Sequence, residues 1–62
     1  MKNPTFVLQI KIMLVEAERL AGVAAARAEE NFDPDGRYFY DSVRTDISAM
    51  INQINEKEAR LP

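Results

Sequence analysis

From Phe6 onward, apolar side chains return every three or four residues: Phe6, Ile10, Met13, Leu14, Ala17, Leu20, Ala21, Ala24 and Ala28. That recurrence is the 3.6-residue period of an α-helix with one buried stripe. Lys11, Glu16, Glu18, Arg19, Arg27, Glu29 and Glu30 fall mostly on the other side. Between Leu8 and Ile12 the pattern alternates as a strand would. The continuation Glu16-Ala17-Glu18-Arg19-Leu20-Ala21 is rich in helix formers, however, and nothing nearby offers a pairing strand. The pattern therefore predicts one helix over about 4–31, with Asn3 as its cap and Pro4 at its first position.

A second periodic run follows. Tyr40, Val43, Ile47, Met50, Ile54 and Leu61 form a heptad seam that lacks one member at Lys57. Between the runs lies Asn31-Phe32-Asp33-Pro34-Asp35-Gly36. Pro34 disfavours helical geometry at Asp33, which ends the first helix. The same Asp-Pro pair is a start signal, with Asp as cap and Pro at the first helical position. The expected plan is a turn at about 32–36 and a second helix over about 37–60, starting as early as Pro34. Asp33 and Asp35 suit the positive end of its dipole, Lys57 and Arg60 its negative end. Pro62 suits a helix stop.

Two helices of similar length joined by a short turn lie antiparallel. Facing residue numbers then sum to about 67. Ala28 meets Phe39 or Tyr40, Ala24 meets Val43, Leu20 or Ala21 meets Ile47, Ala17 meets Met50, and Met13 meets Ile54. Small residues of the first helix meet large ones of the second near the turn, as close packing requires. Phe32 and Phe39 are expected to close that end over the alanines. The fold class is all-α: a single-domain, two-helix antiparallel hairpin over 1–62. Four apolar residues stay outside the expected stripe: Leu8, Ile12, Val15 and Val23. They are the expected partner interface, and the simplest occupant is a second copy completing a four-helix bundle of coiled-coil type.

Composition sharpens the need for a partner. A chain of 62 residues is one small domain that buries only about 60% of its unfolded surface and is marginal alone. Small domains add disulfides, a metal or oligomerisation. With no Cys and no His, the first is excluded and so is a zinc site of the usual kind. The same absence removes the common general base, the thiol nucleophile and the triads, so no enzyme, catalytic residue or cofactor is expected. Asp33-Pro34-Asp35-Gly36 fails as an EF-hand loop, whose sixth and twelfth positions would be Tyr38 and Arg44 rather than Gly and Glu. The net charge of −2 is spread along the chain, and nucleic acid is not an expected partner. The most apolar stretch, Phe6 to Val15, is about half the ~20 residues a membrane span needs. Lys11 inside it also argues against a signal peptide.

Arg37-Tyr38-Phe39-Tyr40 is the densest aromatic group. Tyr40 and Phe39 are expected in the core, and Arg37 with Tyr38 is a candidate recognition patch. The stretch from Arg37 through Ile47 and on to Met50 and Ile54 resembles the RAQPRD family, small proteins of integrative conjugative elements and plasmids. That family's pattern is Arg, an aromatic, any residue, Tyr, two residues, an aliphatic, Arg, any residue, Asp and an aliphatic. Arg37, Tyr38, Tyr40, Val43, Arg44, Asp46 and Ile47 match it without gaps. The hexapeptide that names the family does not occur in the chain. The resemblance implies a non-enzymatic accessory of a conjugative or secretion machinery, periplasmic if an export signal has been removed and cytoplasmic otherwise. Two rival readings rest on the hairpin plan. One is a small dimeric RNA-binding regulator of plasmid type. The other is a secretion-type chaperone that holds another helix in its groove.

Overall fold

Helix α1 spans Pro4–Glu30 and α2 spans Pro34–Ala59 in a computed structural model that describes residues 4–61. The expected cap Asn3, the stop Pro62 and Lys2 lie outside the described residues. The two helices, 27 and 26 residues long, lie side by side as an antiparallel hairpin. Its extents of 49 × 16 × 9 Å are those of one layer of helix.

The connection is built by Asp33 from both sides. Its N–H donates to the Ala28 carbonyl at 2.9 Å, and the Phe32 N–H donates to the Glu29 carbonyl at 3.1 Å. This pair of bonds is a Schellman ending, which satisfies carbonyls the last turn would leave bare. Asp33 then caps α2: its carboxylate accepts from the Gly36 N–H at 3.0 Å, with Pro34 next in the chain. A Cβ at position 36 would meet that carboxylate where it stands, so a larger residue there would need the Asp33 side chain to shift. α2 consequently begins at Pro34 rather than at 37. The Schellman ending needs a left-handed residue just past the cap, normally glycine. Here that residue is Phe32, at φ 55°.

Register agrees with the sequence expectation. Glu18 with Ser48, Gly22 with Arg44 and Glu29 with Arg37 each sum to 66, and Lys11 with Glu58 to 69. Rotation does not agree. The face of α1 turned to α2 is Val7, Lys11, Leu14, Glu18, Ala21, Ala25 and Ala28, an unbroken heptad one residue on from most of the expected stripe. Among the described residues only Ala21, Ala25 and Ala28 are buried. Phe6, Ile10, Met13 and Leu20, expected in the core, are each at least half exposed, Met13 at 73%. Lys11 and Glu18, expected outside, lie in the seam. Lys11 Nζ reaches Glu58 at 2.7 Å and Asn55 at 3.3 Å, and Ser48 donates to Glu18. On α2, Val43, Ile47 and Ile54 are half-buried as expected. Ile51 joins them, whereas Met50 is exposed.

The cause is geometric. Two helices touch along one line, and small residues on that line let them approach most closely. Polar ends in such a seam still reach water or one another, so they carry little desolvation cost.

Two expectations follow. Phe32→Gly should stabilise the protein by about 1 kcal/mol, because a left-handed backbone costs an L-residue roughly that much. Phe32→Ala should not, and guanidinium midpoints of the two variants test the difference. Ala25→Leu should cost about 1–3 kcal/mol by wedging the helices apart. Ala26→Leu, on the exposed side, should be near neutral in the same measurement.

Candidate functional site

One residue back from the seam is about 100° around the helix, and that step puts the expected stripe of α1 on an open face. Ala17, Leu20, Ala21 and Ala24 there form one wall of a groove of about 460 Å³. Phe39, Tyr40, Val43 and Ile47 of α2 form the other. The groove runs along the turn half of the hairpin. Phe39 and Tyr40 meet edge to face, with centroids 5.2 Å apart and planes at 77°. Both were expected in the core; Phe39 is 60% exposed and Tyr40 lies at the edge of exposure. Phe32 closes nothing, being 92% exposed at the tip. Toward the open end, Phe6, Ile10 and Met13 of α1 and Met50 of α2 extend the same apolar face.

The opposite face is polar over its middle. Val15, Glu18, Arg19, Gly22, Arg44 and Ser48 line a depression of about 460 Å³ there. Arg44 lies across Gly22: a Cβ on that glycine would be 3.6 Å from the guanidinium. Leu8, Ile12, Val15 and Val23 are all about half exposed. Helical spacing puts Leu8, Ile12 and Val15 along this polar side and Val23 on the back of α1. The larger continuous apolar surface is therefore the groove face, not the four residues that the sequence pattern singles out.

Arg37 and Tyr38 diverge. Arg37 bridges the turn, pairing with Glu29 at 3.1 Å and with Asp41 at 3.5 Å. Tyr38 is 78% exposed beside Asp41, Ser42, Thr45 and Asp46. On the back of α1, Glu16 takes two hydrogen bonds from Arg19. Those bonds hold the Glu16 carboxyl below its ordinary value and the Arg19 guanidinium above its own.

Charge is divided along the hairpin. The turn half, residues 17–46, sets Glu18, Glu29, Glu30, Asp33, Asp35, Asp41 and Asp46 against Arg19, Arg27, Arg37 and Arg44, a net of −3. Among described residues the open half sets Glu16, Glu56 and Glu58 against Lys11, Lys57 and Arg60, a net of zero. No group of three carboxylates among the described residues converges on a point that would hold a metal ion. No helix there is long and apolar enough to cross a membrane.

Comparison with family models, with curated proteins and with solved structures returns no match.

The pairs of Arg37 are exposed and of modest worth. Arg37→Ala should lower stability by less than about 1 kcal/mol, and the loss should fade in 1 M salt, where screening acts over about 3 Å. A larger, salt-insensitive loss in denaturant titrations would contradict that account of the turn.

Proposed function

We propose that this chain is a non-enzymatic interaction protein whose working form is a homodimer, two hairpins packed as a four-helix bundle. The observation that carries this reading is the rotation of the apolar stripes. In an isolated hairpin the stripe of each helix would point at the other helix. Here the stripes of α1 and α2 lean onto the same open face, as they do when a second layer covers it. The buried residues in the described chain are three alanines and the larger seam side chains are only half-buried, little apolar burial for a fold of 62 residues.

The biological setting follows from the resemblance of Arg37 to Ile47 to the RAQPRD family. On that basis the bundle serves as an accessory of a conjugative or secretion machinery. The stripe of Leu8, Ile12 and Val15 then stays available to a component of that machinery. The RNA-regulator reading is weaker. Lys11, Arg19, Arg27 and Arg37 are each paired with a carboxylate within the hairpin, and no basic stripe forms on either face of the described chain. The chaperone reading shares the groove but expects a foreign helix within it.

Sedimentation equilibrium at micromolar concentration should return twice the 7.1 kDa chain mass. A well-folded monomer would sink the proposal. Stoichiometric co-purification of an unrelated helix with a single hairpin would favour the chaperone.

A further inference from the structure

The groove face selects both its occupant and the direction in which that occupant lies. Resting on the dimer proposed above, we infer that the second copy covers the groove face antiparallel. The turn of each hairpin then lies over the open end of the other, with the two-fold axis passing beside Ala17 and Met50.

Area supports a second copy. By surface–mass scaling a folded monomer of 7.1 kDa exposes about 4,100 Å², whereas this hairpin exposes 5043 Å². The surplus of roughly 950 Å² per chain is close to the ~800 Å² that each partner buries in a standard interface.

Shape and charge support the direction. α1 is large at its start and small at its end. With the axis at position 17, the midpoint of Pro4–Glu30, Ile10 and Met13 of one copy lie over Ala24 and Ala21 of the other, which line the groove. The bulky half of each hairpin thus enters the alanine-walled groove of its mate. Parallel stacking would instead set groove against groove. It would also bring two halves of net charge −3 together, whereas the antiparallel arrangement sets each against a half whose described residues carry no net charge.

The sequence has no cysteine, so introduced thiols report without background. Disulfides need Cα atoms about 4.4–6.8 Å apart, a separation that helices crossing at small residues reach. Oxidation of A17C alone should give a covalent dimer. I10C and A24C should cross-link efficiently only when mixed. Cross-linking of mixed A24C and V43C, with none between I10C and A24C, would show parallel stacking and overturn the inference while leaving the dimer standing. A monomeric mass for the unmodified chain would overturn both. As an independent arm, Leu20→Lys should dissociate the native dimer. Ile12→Lys with Val15→Lys should leave its mass unchanged. The reverse result places the interface on the polar side and refutes the groove.

Discussion

Two helices lying side by side share a single line of contact, and most features of this chain answer to that limit. A line cannot bury the apolar stripes of both helices. It is therefore occupied by the residues that bring the backbones closest: alanines near the turn, then Leu14 and Val7 toward the open end. The larger side chains are pushed to the flank, where Leu20, Met13 and Phe39 stand open on one face. Packing within the chain thus uses small residues and leaves the large ones it displaces open on one face, where the proposed second copy would pack.

Polar groups within the seam add direction more than strength. Lys11 with Glu58 near the open end and Glu18 with Ser48 at mid-length tie particular residues across the helices. Apolar seams slide easily between registers, and a paired charge or hydroxyl in the wrong place would lose its partner. At the turn, Asp33 holds the end of α1 by its N–H and the start of α2 by its carboxylate. With the tip anchored there, the mid-length pairs have one register in which all are satisfied.

Much of this was legible in the sequence. The period, the two helices, the Asp33-Pro34 junction and the register can be read from Phe6, Leu20, Tyr40, Ile47 and their spacing. What could not be read was the angle at which α1 meets α2. A helical pattern shows every apolar residue a helix carries, and the stripe of Phe6, Ile10, Met13 and Leu20 stands beside its neighbour on the open face. The true seam was hidden because two of its members, Lys11 and Glu18, are charged, and three are alanines that weigh little in any apolar pattern. An unbroken 4-3-4-3 run through Val7, Lys11, Leu14, Glu18, Ala21, Ala25 and Ala28 was the available signal. The surplus apolar residues were legible too, but spacing alone drew attention to Leu8, Ile12, Val15 and Val23, away from the larger groove face.

If the proposed dimer is the working form, a core of three alanines makes abundance a structural variable. When the contacts that hold a chain folded lie between copies, the folded fraction rises with protomer concentration by mass action. Such a chain is compact and protected where it is made in quantity or held at a site of assembly. Diluted, it opens and becomes a substrate for proteases. On the dimer proposed above, the narrow seam at Ala21, Ala25 and Ala28 would tie the lifetime of the protein to the company of its own kind.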